Sequence, residues 1–223
     1  MRLNKWIAAN TTYSRRGADE LIGSGRVIVN GKTASMGMQV EPGDAVHVDQ
    51  KLVHERKAAS FTLMINKPVG YVCSRKGQGA PTVYSLLPLK YHHLDIVGRL
   101  DKESSGLLLL TSDGVLHQQL THPSYQKEKR YTVALDKPLK PQDEEVILTG
   151  VTLSDGMSKL VLGTIGNARL EWEVRMHEGR NRQIRRTFAV LGYTITGLHR
   201  TQFGPYKLGR LEIGKISEVT VEA

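Results

Sequence analysis

Four consecutive leucines at residues 107–110 constrain the fold of this chain more than any other feature. An uninterrupted apolar run of this kind, followed closely by the turn dipeptide Asp113-Gly114, is typical of a β-strand that is buried on both faces. Such a strand would hold the loop that precedes it on a rigid support. With 223 residues, the chain is long enough to form one sizeable core and a smaller additional unit.

Strand and helix patterns follow one another irregularly after residue 60. Because they lack regular βαβ alternation, we expect an α+β fold with a mixed, largely antiparallel sheet. The predicted strands cover residues 61–66, 71–74, 94–98, 107–112, 129–135, 169–176 and 194–200. The predicted helices cover residues 82–87, 115–121, 141–149 and 182–191.

The first fifty residues have a different pattern, which predicts a small α/β domain. Residues 2–10 show helical apolar spacing, and Ser14 is a favourable N-cap for a second helix. Asn30-Gly31, between two short strand-like runs, is the strongest short-range signal of a β-hairpin. We therefore predict an N-terminal domain over residues 1–49, a linker over 50–59 and a larger domain over 60–223.

The charge of the chain points to a polyanionic partner. Lys and Arg number 31 against 22 Asp and Glu, which gives a formal net charge of +9. Such an excess suits either nucleic acid or an anionic membrane surface. No apolar stretch is long enough to span a membrane, and the first residues show no export signal, so we expect a cytoplasmic protein without a membrane partner.

Cysteine and histidine usage excludes two kinds of site. Cys73 is the single cysteine, which excludes an intrachain disulfide and a cysteine-rich zinc site. The eight histidines show no pairing at metal-ligand spacing. We therefore expect no bound metal, and we interpret Cys73 as a buried apolar residue rather than a nucleophile.

Asp101 follows a predicted strand in the segment VGRLDKESSGLLLL, residues 97–110. Gly98 and Gly106 bracket the segment, where glycine allows a sharp chain path or the close approach of another backbone. Arg99 would share a face with Asp101 if the strand continued. An aspartate after a strand is usually a turn residue. From the residues alone, Asp101 is either such a turn residue or an active-site carboxylate.

Two further segments are equally open on the residues alone. Tyr131, near the start of a predicted strand, is either a core tyrosine or part of a site. The segment EGRNRQIRRTF, residues 178–188, predicts a helix with a cationic first half and an apolar stripe. That helix either exposes its arginines to solvent or presents one of them to a buried carboxylate.

The N-terminal segment resembles the S4-like RNA-binding domain first recognised in a small-subunit ribosomal protein. The pattern L-x-K-x-I-A…S-R-R-x-A-x-x-L-I-x-x-G-x-V-x-V-N-G runs from Leu3 to Gly31. A basic surface of this kind suits RNA phosphates. The basic residues that we predict to contact RNA here are Arg2, Lys5, Arg15, Arg16, Arg26 and Lys32.

The rest of the chain resembles the pseudouridine synthases of the RsuA/RluB type, which modify ribosomal RNA. The resemblance rests on NKPVGYVCS, GRLDKESSGLLLLTSDG, EKRYTV, EGRNRQIRRTF and GLHR, in this order along the chain. It implies a domain that detaches uracil from its ribose and rejoins it through carbon 5, with no cofactor or metal. It also implies that Asp101 is the essential carboxylate, acting as nucleophile or as base on the ribose.

The same resemblance implies roles for other residues. Arg185 is the candidate partner of an ion pair with Asp101, Tyr131 would pack on the target base, and Leu198 would line its pocket. Arg99 would hold the RNA open or anchor the loop. Further RNA contacts are expected from Arg180, Arg182 and Arg200. The expected partner is ribosomal RNA or a ribosomal subunit precursor, bound by a monomer with the target uridine flipped out of its stack.

Other functions remain to be weighed against this one. A non-catalytic RNA-binding protein that assists ribosome assembly is the main alternative. A deaminase would need a zinc-binding His and Cys set, and a methyltransferase would be expected to show a glycine-rich cofactor loop; neither is visible in the sequence. The sequence does not identify the uridine, or the subunit RNA, that would be modified.

Overall fold

The computed structural model of the protein describes residues 1–55, 60–77 and 79–219. The chain separates into two units between residues 59 and 60. Residues 56–59, which belong to the predicted linker, lie outside the described residues, as do residues 78 and 220–223. Each unit has its own core and is described by itself.

The N-terminal unit packs two helices on a four-stranded antiparallel sheet of order β2-β1-β3-β4. As predicted, Ser14 caps the second helix, and its side chain accepts a hydrogen bond from the Gly17 amide at 3.1 Å. Asn30 and Gly31 both have positive φ, 50° and 77°, which is the geometry of the predicted hairpin turn. The elements are α1 (Leu3–Asn10), α2 (Arg15–Gly23), β1 (Val27–Val29), β2 (Lys32–Thr33), β3 (Val46–Val48) and β4 (Lys51–Leu52).

The last of these strands lies inside the predicted linker. Residues 51 and 52 pair with β3, so that the sheet of the N-terminal unit includes residues beyond position 49. A strand of two residues with exposed side chains carries no apolar alternation, which explains why the sequence pattern did not reveal it.

The strands of the C-terminal unit are β5 (Thr62–Lys67), β6 (Asp95–Val97), β7 (Ser105–Thr111), β8 (Lys129–Leu135), β9 (Val151–Leu153), β10 (Gly156–Ser158), β11 (Val161–Ile165), β12 (Glu171–Met176), β13 (Ile195–Phe203), β14 (Tyr206–Lys207) and β15 (Ile216–Glu218). Nine of them form one sheet whose main path has the order β11-β12-β8-β13-β7-β5-β15, with β6 paired to β7 and β14 paired to β13. Strands β13 and β7 are parallel, and the other described strand pairs are antiparallel, as the expectation of a mixed, largely antiparallel sheet requires. The helices are α3 (Gly114–Thr121), α4 (Pro141–Thr149) and α5 (Gln183–Val190), with 3₁₀ turns at Val83–Leu86, Leu89–Tyr91 and Pro123–Tyr125.

Strand β7 forms the structural centre of this unit, as the leucine run predicted. Leu108 and Leu110 point into one core, which also contains Trp172. Leu107 and Leu109 point into a second core on the other face of the sheet. All four leucines are 0% exposed, so this strand holds its preceding loop on a support that is buried from both sides.

Several predicted elements differ from the structure. Residues 71–74 do not form a strand, because Val72 makes a single isolated bridge to Thr82 and the chain then bends. The helix predicted at 82–87 is a short 3₁₀ turn. The antiparallel hairpin of β9 and β10 was not predicted, although its Asp155-Gly156 dipeptide is a recognised turn signal.

Candidate active site

The loop at residues 98–104 joins β6 to its antiparallel neighbour β7 and carries Asp101. The strand does not continue through Arg99 and Asp101, so these two residues do not share a strand face. Gly98 adopts a φ of +70° where the chain leaves β6. Leu100 is buried and anchors the loop, whereas the Asp101 side chain is 33% exposed. The carboxylate is therefore fixed at its base and open to solvent at its tip.

Gly106 allows the loop to enter the sheet. Its φ is +107°, and a Cβ atom at this position would overlap the backbone of Arg200 on β13. The close approach of a second backbone, one of the two roles considered for this glycine, is the role it has in the structure. The parallel pairing of β7 with β13 thus begins directly after the Asp101 loop.

Lys67 is a buried cation that donates hydrogen bonds to the main chain of the Asp101 loop. Its Nζ donates hydrogen bonds to the main-chain carbonyls of Pro68 at 3.0 Å, Asp101 at 3.1 Å and Ser104 at 2.7 Å. The residue is 0% exposed, and burial lowers its pKa below the ordinary lysine value. Three acceptors satisfy the three ammonium protons, so one side chain at the end of β5 holds the loop at residues 101 and 104.

A cavity of about 700 Å³ lies above Asp101. Residues from four separate elements line it: Asp101 from the loop, Tyr131 from β8, Arg185 from α5 and Leu198 from β13. Tyr131 and Leu198 are 8% and 7% exposed, and they supply an apolar wall. The other predicted site residues in its lining are Arg99, Arg180, Arg182 and Arg200.

Arg185 does not form the expected ion pair with Asp101. It donates instead to the carbonyls of Glu103 at 2.9 Å and Ile195 at 3.1 Å, and burial lowers its pKa. Among the described residues, the cation within 4 Å of the Asp101 carboxylate is Arg182, whose Nη1 is 3.9 Å from Oδ2. Arg185 is thus a clamp on the loop, while Arg182 is the nearer positive charge.

Two arginines of the cavity lining, Arg180 and Arg200, form hydrogen bonds with neighbouring segments of the protein. Arg180 forms an ion pair with Asp155 at 3.0 Å and also donates to the carbonyls of Gly156 and Met157. Arg200 is 2% exposed, and its Nε donates to the Leu107 carbonyl at 2.7 Å. Their guanidinium groups fix neighbouring segments of the cavity wall.

Lys129 is a further cation in the cavity lining, and it is half-buried. Its Nζ donates to the carbonyls of Lys127 at 3.1 Å, His177 at 3.0 Å and Glu178 at 3.1 Å, which joins two loops of the wall. Burial lowers the pKa of Lys129 to about 8, and the charge of Arg200 acts in the same direction. The sequence patterns did not reveal the roles of Lys67 and Lys129. A possible signal is that Lys129 stands two residues before Tyr131 and so shares its strand face.

The residues of the N-terminal unit that we predict to contact RNA lie on or next to α1, α2 and the β1–β2 hairpin. All are exposed except Lys5, which is half-buried. Arg26 forms an ion pair with Asp49 at 2.6 Å. The six residues are Arg2, Lys5, Arg15, Arg16, Arg26 and Lys32.

Within the described ranges, no group of three or more His, Cys, Asp or Glu side chains is arranged to hold a metal ion. In the same ranges, no helix has the length and apolar character needed to cross a membrane. Cys73 is half-buried, and its Sγ accepts a hydrogen bond from the Leu100 amide at 3.4 Å. Burial raises the pKa of this thiol, in keeping with its interpretation as a packing residue.

Comparison with known proteins identifies the family. A family model described as RNA pseudouridylate synthase matches residues 62–190, which is more than half of the chain. The chain belongs to the RNA pseudouridylate synthase family. A second model, described as the S4 domain, matches residues 1–46. Both resemblances inferred from the sequence motifs are therefore confirmed.

Individual relatives agree with this assignment. "Ribosomal large subunit pseudouridine synthase B" of Pseudomonas aeruginosa is 37% identical over 228 residues, which are 98% of this chain and 59% of that protein. "Dual-specificity RNA pseudouridine synthase RluF" of Escherichia coli K12 is 33% identical over 99% of this chain and 76% of that protein. The chain thus spans about three-fifths of the length of the first of these relatives.

A solved structure described as a pseudouridylate synthase is similar to the whole chain. It is 30% identical, with a TM-score of 0.70 over 99% of this chain and 96% of the other. The α+β fold of pseudouridine synthase type is therefore confirmed. The synthase family model matches residues 62–190 of this chain, a range that contains Asp101, Tyr131 and Arg185. Leu198 lies beyond that range.

The depressed pKa of Lys129 predicts a pH dependence of stability in this synthase-family chain. The pKa of lysine in an unfolded chain is about 10.4. Between pH 8 and that value, the unfolded state therefore binds more protons than the folded state. The contribution of Lys129 to stability is therefore fully present above that range and is lost as the pH falls through about 8. We expect the wild type to gain stability relative to Lys129→Met as the pH rises from 8 to 10, by at most about 1.4 kcal/mol per pH unit.

Urea denaturation of the two proteins at pH 7.5, 8.5 and 9.5 measures this difference. If the unfolding free energy of the wild type minus that of Lys129→Met stays constant or falls with rising pH, Lys129 does not titrate in this range.

Proposed function

We propose that this protein converts one or a few specific uridines of ribosomal RNA to pseudouridine, with Asp101 as the essential carboxylate. The observation that carries the proposal is the convergence of Asp101, Tyr131, Arg185 and Leu198 on one cavity. The relatives named for this activity on ribosomal RNA support the choice of substrate. The S4 domain supports an RNA partner independently of the cavity.

The reaction rearranges bonds without adding or removing atoms. The bond between ribose C1′ and uracil N1 breaks, the base turns, and a bond forms between C1′ and C5. C5 then loses its proton and N1 gains one, so the reaction needs no co-substrate. In this scheme Asp101 attacks the ribose as a nucleophile or removes a proton from it as a base, and its partly exposed carboxylate is available for either step.

The apolar wall of the cavity suits a flipped uracil. Tyr131 and Leu198 lie on adjacent antiparallel strands, β8 and β13, and their side chains would contact the two sides of a planar base. Arg185 acts in this model through the Glu103 carbonyl, as a positioning residue for the Asp101 loop. The buried Lys67 has the same positioning function from the opposite side.

RNA phosphates would be bound outside the base pocket. Arg99 and Arg182 are exposed or partly exposed in the cavity lining, whereas Arg180 and Arg200 would act on RNA only through the wall segments that they hold. In the N-terminal domain, proposed over residues 1–49, the six basic residues named above would add phosphate contacts that set the register of the substrate. We propose that the part of residues 50–59 that follows β4 acts as the linker to a catalytic domain over 60–223, in a monomer that works in the cytoplasm without a membrane partner.

Pseudouridine mapping tests this function. Unmodified ribosomal RNA, free and in subunit particles, is incubated with the protein and scanned for pseudouridine at every position. We expect conversion at one or a few uridines, with RNA binding that weakens steeply as salt is raised. Binding to RNA and particles with no conversion in either substrate would instead support the non-catalytic assembly factor.

A further inference from the structure

An exposed ion pair lies at the mouth of the cavity. Arg182 Nη1 donates to Glu103 Oε2 at 2.8 Å and is 3.9 Å from Asp101 Oδ2. The Arg182 and Glu103 side chains are 43% and 55% exposed. One guanidinium thus stands between two carboxylates, one of which is the proposed essential group.

The backbone holds Arg182 in an unusual conformation. Its φ is +48°, in the left-handed region that non-glycine residues seldom adopt, and it immediately precedes α5. Left-handed residues of this kind cost conformational energy and are concentrated at ligand-binding and active sites. From this position at the start of α5, Arg182 lines the cavity.

The backbone of Glu103 is held by buried or partly buried cations, whereas its side chain is exposed. Arg185 binds the Glu103 carbonyl, and Lys67 binds the carbonyls of Asp101 and Ser104 on either side. The Glu103 carboxylate has Arg182 as its ion-pair partner among the described residues. The hydrogen bond from Arg182 lowers the pKa of Glu103. Rotation of the Glu103 side chain alone can therefore release Arg182.

Neighbouring arginines differ from Arg182 in this respect. Arg180 and Arg185 bind main-chain carbonyls, so their release would break loops of the wall. Arg186 pairs with Asp155, which also binds Arg180. Arg182 is the arginine of residues 180–186 whose hydrogen-bond acceptor is a single exposed side chain, that of Glu103.

We infer that Arg182 forms a phosphate-binding site for the RNA strand beside the target nucleotide, and that the Glu103 carboxylate occupies this site in the free protein. The inference rests on the proposed function for its choice of ligand. A carboxylate and a phosphate offer a guanidinium similar pairs of oxygen acceptors. An exposed ion pair is weak, so exchange of its anion costs little. In the free protein, Glu103 would keep Arg182 at the cavity mouth and oppose the binding of other anions.

Glu103→Gln tests this inference because it removes the charge and keeps the shape of the side chain. We expect the Kd for a stem-loop RNA that contains the mapped uridine to fall about two- to fivefold, the range that corresponds to one exposed ion pair. KM should fall in parallel, whereas the dependence of log K on log salt should change by less than the roughly 0.7 to 0.9 of one phosphate contact, because Arg182 binds the same phosphate in both proteins. Glu144→Gln is the matched control, since Glu144 forms an Arg–Glu pair of 2.6 Å with Arg169 outside the cavity and should leave Kd and KM unchanged.

A double-mutant cycle assigns the effect to Arg182. Arg182→Gln should weaken RNA binding, and adding Glu103→Gln to it should give no further change. Tighter binding of the same size in both backgrounds, or equal effects of Glu103→Gln and Glu144→Gln, would overturn the inference. If the wild type binds RNA but forms no pseudouridine, the proposed function fails, while the same binding measurements on the unmodified ribosomal RNA still decide the role of Glu103.

Discussion

Asp101→Asn is expected to reduce pseudouridine formation by at least about 10⁴-fold while the protein stays folded and continues to bind RNA. Asparagine has nearly the shape of aspartate, but its neutral amide acts neither as a nucleophile nor as a base at neutral pH. The loop should keep its conformation because Lys67 holds it through the main-chain carbonyls of residues 101 and 104. The loss should therefore appear in the chemical step.

Single-turnover conversion of the mapped uridine measures this effect, with thermal unfolding and RNA binding measured on the same preparation. Asp95→Asn is a suitable control, because Asp95 lies on β6, six residues before Asp101, and is exposed outside the cavity. Its carboxylate forms an ordinary surface pair with Arg75 at 3.1 Å. Conversion by Asp101→Asn at a rate near that of Asp95→Asn would mean that Asp101 is only a turn residue.

Gly106→Ala is expected to lower the free energy of unfolding of the C-terminal unit by about 3 kcal/mol or more. The new methyl group would overlap backbone atoms of Arg200, which cannot move aside without disturbing the pairing of β7 with β13. The φ of +107° adds strain for any residue with a Cβ. Because Gly106 follows the Asp101 loop directly, the folded fraction should also lose activity.

Urea denaturation of Gly106→Ala and Gly214→Ala separates the two contributions. Gly214 also has a positive φ, +79°, but a Cβ there meets no atom within 4 Å. Its substitution should cost only the strain of the left-handed conformation, roughly 1–2 kcal/mol. Equal losses for the two variants would show that the approach of Arg200 to Gly106 does not constrain the sheet.

The elements that the sequence predicted correctly are those whose cause is local. The hairpin at Asn30-Gly31 requires two residues that tolerate positive φ, and the helix after Ser14 requires an acceptor for a free amide. Strand β8 and helix α4 have the predicted bounds, 129–135 and 141–149. By contrast, residues 71–74 have the composition of a strand, but their pairing is limited to one isolated bridge, between Val72 and Thr82.

For the site, the motifs identified the residues that line the cavity but did not identify their contacts. Asp101, Tyr131, Arg185 and Leu198 all reach it. Their roles in catalysis remain proposals, and the expected ion pair of Asp101 with Arg185 is absent among the described contacts. Arg182 is the nearer cation, because its left-handed backbone turns the chain just before α5 begins.

The sequence by itself determined the leucine strand, the caps and turns, the charge balance and the motifs that indicate the family. Each of these depends on residues within a few positions of one another, where spacing and residue type carry the physical cause. Only the tertiary structure decided that Lys67 is buried, that Lys129 is half-buried, and that both donate to carbonyls up to 37 and 49 residues away. It also decided which arginine pairs with which acceptor. A carbonyl accepts a hydrogen bond whatever its side chain, so no residue type in the sequence marks these partners.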